Sequence, residues 1–204
     1  MPTETRHRPR LHARRTVVVL GIDGAGKTTT AAALVTAEQA AGRAAQLVRN
    51  PAGRRWLSRV AERCGIGVAP RWADRFESTV RLINVLTAQL RAAVFPGTTV
   101  MDRHLQCQQV LRAVRGLPRG RFLPWLVQIL PRADAVVLLD LPAETAQARI
   151  SARGEDSEST AYLRAAREAY LRMARSSGWH VVDAFGSRSE VLDRVLAAIA
   201  PPGK

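Results

Sequence analysis

Short apolar or β-branched runs recur along the chain between longer stretches of helical periodicity. Five runs read as strands, each bounded by breaking residues: Thr16–Leu20, Ala45–Arg49, Thr98–Asp102, Ala135–Asp140 and Trp179–Asp183. The stretches between and after them read as helices: Lys27–Ala41, Arg54–Cys64, Trp72–Val94, Leu105–Arg115, Phe122–Leu130, Ala143–Arg153, Thr160–Ser176 and Ser189–Ile199. The strands are nearly continuous in apolar residues and do not alternate, as in sheets covered on both faces. An alternation of such strands with helices predicts an α/β fold with a five-stranded parallel sheet and helices on both faces. Ligands of such sheets bind at the carboxyl ends of the strands, where the motifs below begin.

No internal repeat or low-complexity linker divides the 204 residues, so one domain is expected over residues 16–200, preceded by a basic flexible tail over 1–15. Hydrophobic residues make up 47% and charged residues 24%, which excludes a disordered chain. No apolar run reaches the roughly 18 residues of a membrane span, and the apolar run after the basic start is too short for a secretory signal. Cys64 and Cys107 lack metal or redox spacing and fit reduced thiols in a cytoplasmic protein. The formal charge of +14 invites a nucleic-acid partner, but the arginines spread over every expected helix, with few aromatics among them to stack bases. A positive cleft for a small anionic substrate accounts for part of the same charge, and no nucleic-acid partner is expected.

Gly21-Ile22-Asp23-Gly24-Ala25-Gly26-Lys27-Thr28 has the spacing G-x-x-x-x-G-K-[ST], follows the first strand and opens the first helix. Its glycines let the backbone curl so that successive N–H groups face one anion, and the helix N-terminus adds partial positive charge. Lys27 can reach the β- and γ-phosphates of a nucleotide, and the Thr28 hydroxyl can bind magnesium. Only Lys27 and Lys204 are lysine among 31 basic residues, so a chance lysine at this position is improbable. Asp102-Arg103 at the end of the third strand suits a magnesium-holding acid followed by an arginine that grips an acceptor phosphate bidentately. His104 is expected to pack or cap.

The loop G-I-D-G-A-G-K-T-T, the Asp102-Arg103 pair, Ala135–Pro142, Arg149–Gly154, Tyr170–Ala174 and Trp179–Ala184 together resemble the thymidylate kinases. That resemblance spans roughly residues 16–199. It implies a doubly wound P-loop kinase fold with a mobile lid (about residues 149–160), ATP and Mg2+ as cofactors, a nucleoside 5′-monophosphate as acceptor, and a homodimer. It implies a donor site of Gly21, Asp23, Gly24, Ala25, Gly26, Lys27, Thr28, Thr29 and Arg149, with Asp23 also serving the acceptor. Arg149 and Arg153 would close on the transferring phosphates, and their i, i+4 spacing puts them on one helix face. The adenine would lie near Arg149 and the loop Ala184–Arg188. Arg49, Pro51, Trp72, Arg75, Arg103 and Gln108 would line the acceptor pocket.

Three features depart from the family pattern. Asn50 stands where Arg-Glu-Pro has its acid, Arg71 stands at the stacking position with Trp72 displaced by one residue, and Gln106, Gln108 and Leu111 follow Asp102-Arg103 in place of small and aromatic residues. The donor half is intact, while the base of the acceptor stays open. Two alternatives stand beside a pyrimidine nucleotide kinase. One is a nucleoside kinase acting on a sugar hydroxyl, which a carboxylate would assist: the second strand's end offers only Asn50, but Asp23 or Asp102 could supply the acid. The other is a P-loop module that binds nucleotide without phosphoryl transfer.

Overall fold

The computed structural model describes residues 14–50, 70–118, 122–154 and 158–200. The expected helix Arg54–Cys64 and most of the basic tail lie outside the described residues. Five strands form one all-parallel sheet: β1 (Arg15–Gly21), β2 (Ala45–Arg49), β3 (Thr98–Asp102), β4 (Ala135–Asp140) and β5 (His180–Asp183), in the spatial order β2-β3-β1-β4-β5. The order places β1 between β3 and β4, so the chain leaves β1 toward one edge of the sheet and crosses back over it toward the other. The crevice at that reversal lies over the carboxyl ends of β1 and β3.

Val17–Leu20 and all of β3 are buried, which explains their unbroken apolar character. One face carries α1 (Lys27–Ala40) and α7 (Arg188–Ile199), packed on each other. The other carries α2 (Pro70–Val94), α3 (Leu105–Val114) and α6 (Thr160–Ser177), with α4 (Phe122–Ile129) against α3 and α5 (Ala143–Ser151) against α6. The fold is therefore doubly wound α/β, as expected. Among the described residues no helix is long and apolar enough to cross a membrane.

Local chemistry sets the helix ends. Ser159 caps α6 by accepting the Tyr162 N–H, and Gly178 ends that helix at φ 66°. Ser187 and Glu190 form a reciprocal capping box that starts α7. At the base of the sheet Glu38 of α1 is buried and accepts two hydrogen bonds from Arg43, at 2.7 and 2.8 Å, and one from the Thr98 hydroxyl at 3.3 Å. Those bonds tie α1 to the start of β3.

Gly97, just before β3, lies against the chain entering β2. A Cβ at this position would meet the Ala44 carbonyl oxygen at 2.3 Å. Gly97→Ala should therefore push the two strands apart and lower stability by about 1–3 kcal/mol. A urea titration of the two proteins reads the difference, and an unchanged midpoint would contradict this close approach.

Candidate active site

The loop between β1 and α1 is shaped by its contacts with neighbouring backbone. Gly24 has φ 84°, and a Cβ there would lie 2.5 Å from the Ala146 carbonyl oxygen of α5. Gly26, the N-cap of α1, has φ 89°, and no side chain caps the helix. The first turn of α1 contains no acid. The N–H groups that a helix start leaves without intrahelical acceptors are thus open to an anion, with the helix dipole favouring one.

Lys27 is buried, and its ammonium donates to the Ile22 carbonyl at 2.6 Å and to Asp23 Oδ1 at 3.1 Å. The same Asp23 oxygen accepts from Arg103 Nη2 at 2.8 Å. One carboxylate therefore bridges the loop lysine and the arginine after β3. Burial acts to raise the Asp23 pKa, but the charges and hydrogen bonds of Lys27 and Arg103 outweigh it and hold the carboxyl well below the usual carboxylate range. Burial, and then the like charge of Arg103, lower the Lys27 pKa against the pull of Asp23. For Arg103 the desolvation is overcome by Asp23 first, and the guanidinium stays charged.

The register of β1 and β3 pairs Val19 with Asp102, which brings the acid to the opening of α1. There the Thr28 hydroxyl donates to Asp102 Oδ2 at 2.6 Å, while Asp102 Oδ1 is buried with no hydrogen-bond partner among the described residues. A hydroxyl and a carboxylate in contact, one oxygen of the latter unsatisfied, suit a hard cation that keeps its waters and takes its remaining ligands from phosphates. Among the described residues no group of three or more His, Cys, Asp or Glu side chains could hold a metal by itself. A magnesium ion fits this pair as an ion that arrives with a nucleotide.

Arg103 has φ 76°, the one positive φ outside glycine among the described residues. For a side chain with a Cβ this backbone costs on the order of 1–3 kcal/mol and needs support from its surroundings. Asn50 supplies contacts here: its backbone N–H donates to the Asp102 carbonyl at 3.0 Å, and its side-chain Nδ2 donates to the Arg103 carbonyl at 2.7 Å. The sequence pattern marks Asn50 only as a departure from an acid. Its contact with residue 103 arises from the pairing of β2 with β3, for which local spacing carries no signal.

The remaining expected residues divide. Arg49 is exposed at the end of β2, and Thr29 is exposed in the first turn of α1. Gln108 lies on α3 with 0% exposure, so from this conformation its amide reaches no bound molecule. Pro51 lies outside the described residues, as do the side chains of Trp72 and Arg75 in α2. Arg149 turns toward the β5–α7 connection, its two terminal nitrogens 3.5 Å from the Ala184 carbonyl. Helix α5 stops at Ser151, short of the expected Arg153, because residues 152–154 form a turn that ends at Gly154 with φ 65°. Arg153 lies past that helix end, exposed, with Nε donating to the Arg149 carbonyl at 3.2 Å. The two arginines thus do not share one helix face. His104 is buried and touches Gln89 and Gln106, in keeping with a packing role. Asp140, at the end of β4, is gripped by Arg167 of α6 through two bonds of 2.6 and 2.8 Å, which anchors the helix that follows the expected lid.

No family model matches the chain. It is similar over 191 residues to the thymidylate kinase of Xanthomonas oryzae pv. oryzae, at 31% identity covering 90% of this chain and 82% of that protein. It is 31% identical over 190 residues to the thymidylate kinase of Xanthomonas euvesicatoria pv. vesicatoria, with the same coverage. It is 30% identical over 193 residues to a "Probable thymidylate kinase" of Pyrobaculum calidifontis, 94% of which is covered.

The bridging carboxylate has a pH signature. Its folded pKa lies below the ordinary 3.8, so the stability it confers is complete above that value and is lost as pH falls through the folded pKa. Asp23→Asn should therefore melt below the parent by a constant margin at about pH 5 and above, and the margin should shrink in more acid solution. Thermal melts of both proteins against pH decide it. A margin that is absent at neutral pH would mean that Asp23 holds no charged pair.

Proposed function

The chain belongs to the thymidylate kinase family, and from that premise we propose that it transfers the γ-phosphoryl group of ATP, with magnesium, to a pyrimidine nucleoside 5′-monophosphate, thymidylate being the first candidate. At the family level it is a phosphotransferase of the nucleotide kinase class acting on small-molecule nucleotides. The observation that carries the finer reading is the Asp23 bridge, which sets a loop lysine suited to the donor beside an arginine suited to an anionic acceptor.

In this reading the uncapped start of α1 and the loop N–H groups from Gly21 to Thr29 bind the donor phosphates, and Lys27 neutralises charge developing on the transferring group. Thr28 and Asp102 hold the magnesium, which when bound offsets phosphate charge. Arg103 grips the acceptor phosphate and fixes its attacking oxygen in line, and that oxygen is already anionic, so no side chain has to remove a proton. Asp23 stands between both substrates. Arg149 and Arg153 border a lid over about residues 149–160, with Arg149 also beside the adenine, while Arg49, Pro51, Trp72, Arg75 and Gln108 face the acceptor. Gln108 does so only after its cover moves. The kinase domain occupies residues 16–200 behind the basic tail, in the cytoplasm.

A homodimer completes the proposal. The outer stripe Ile83, Leu86, Leu90 and Val94 of α2 is exposed apolar surface of the kind that a second copy covers. Light scattering should give the mass of two chains, and a single-chain mass would remove this part.

Coupled ADP release across nucleosides and their monophosphates tests the rest. A monophosphate should be the best acceptor, with activity abolished by EDTA and restored by magnesium. Arg103→Lys keeps the charge but loses the planar fork, so the KM for the monophosphate should rise by the equivalent of about 1.5–3 kcal/mol with ATP binding little changed. Faster phosphorylation of free nucleosides would make the protein a nucleoside kinase, and tight ATP binding without turnover would make it a binding module.

A further inference from the structure

Asn50 closes β2 with 1% exposure, next to the pair proposed for magnesium and the acceptor. Its backbone N–H and its side-chain amide hold two successive carbonyls, those of Asp102 and Arg103. The second carbonyl belongs to the residue whose φ of 76° turns it away from a regular strand. On its other side Arg103 is anchored by its own N–H, which donates to Val19 O at 3.2 Å, and by its guanidinium on Asp23. We infer that Asn50 is a positioning residue for phosphoryl transfer: its amide, by donating to the Arg103 carbonyl, holds Arg103 in the left-handed conformation from which the guanidinium meets Asp23 and the acceptor's phosphate. The step from conformation to phosphate binding rests on the nucleotide-kinase reading.

The Asn50 amide is satisfied on its donor side only. Asn50 Oδ1 is buried with no hydrogen-bond partner among the described residues, a cost that an apolar side chain of the same size would avoid. What an apolar residue lacks is a donor for the Arg103 carbonyl. A carboxylate lacks one too, and would press a charged oxygen against that carbonyl in a buried place. Among residues of this size, the amide both fits and donates.

Two variants of similar size separate positioning from packing. Asn50→Leu removes the donor and keeps the packing. Its KM for the monophosphate should rise by about tenfold or more, with ATP affinity within a few-fold of the parent and no dependence on pH beyond the parent's own. Asn50→Asp keeps the size, and its carboxylate likewise offers no donor to the Arg103 carbonyl, so at neutral pH it should show the same selective rise in acceptor KM.

A crystal structure of Asn50→Leu supplies a readout independent of turnover. Arg103 should leave the left-handed region and its contact with Asp23 should lengthen. Should the parent phosphorylate no monophosphate, the functional reading falls while this structural test still stands. An unchanged Arg103 backbone in Asn50→Leu, an unchanged acceptor KM in both variants, or an equal loss of ATP and acceptor binding would each overturn the inference.

Discussion

Asp23 Oδ1 accepts from Lys27 and from Arg103, and much of the site depends on that shared carboxylate. Two cations brought this close would repel each other in a region from which water is partly excluded, where charge interactions are stronger than in bulk solvent. With the acid between them the repulsion becomes a chain of alternating charges. Lys27 can then be buried as a cation beneath the loop, and Arg103 can stand beside it without being pushed outward. The contact also joins two segments 80 residues apart, one from each side of the crevice at the sheet's reversal.

That contact requires the strands to stop in the right places. Pairing of β1 with β3 sets Val19 beside Asp102, and pairing of β2 with β3 sets Arg49 beside Asp102, so three chain ends meet over one crevice. Two further constraints act there. Gly24 lies so close to Ala146 of α5 that only a residue without a Cβ fits, which docks the phosphate loop on the helix leading to the expected lid. Arg103 has to leave strand geometry, and Asn50 meets the carbonyl that this turn redirects. Strain at a single residue, held by neighbours on two strands, is a common way for a fold to point one side chain at a ligand.

The side of the expected lid is built differently. Arg167 fixes α6 to the end of β4 through Asp140, so the helix after the expected lid is anchored to the same carboxyl end of the sheet as the phosphate loop. Arg149 lies against the Ala184 connection, whereas Arg153, beyond the helix end, is exposed.

Much of this protein was legible along the chain because the signals are local. Buried parallel strands need apolar runs such as Val17–Leu20, and a phosphate loop needs glycines and a lysine at fixed spacing, so β1, α1 and the loop could be located to within a residue or so. The strand order could not be read this way, because the pairing of β3 with β1 is decided by how helices cover two faces at once. Neither could the end of α5, where a turn closing on Gly154 overrides the helical pattern that continues to Arg153. Gln108 has the chemistry of a contact residue, but packing between α3 and its neighbours, which no spacing records, buries it completely. Asn50 is the clearest instance. Its sequence neighbours suggest a missing acid, and only the parallel pairing of β2 with β3 brings its amide to the carbonyl of a residue 53 positions away. Residue types at fixed local spacing settled which groups the protein has for phosphate chemistry, and the long-range pairing of strands settled which of them meet.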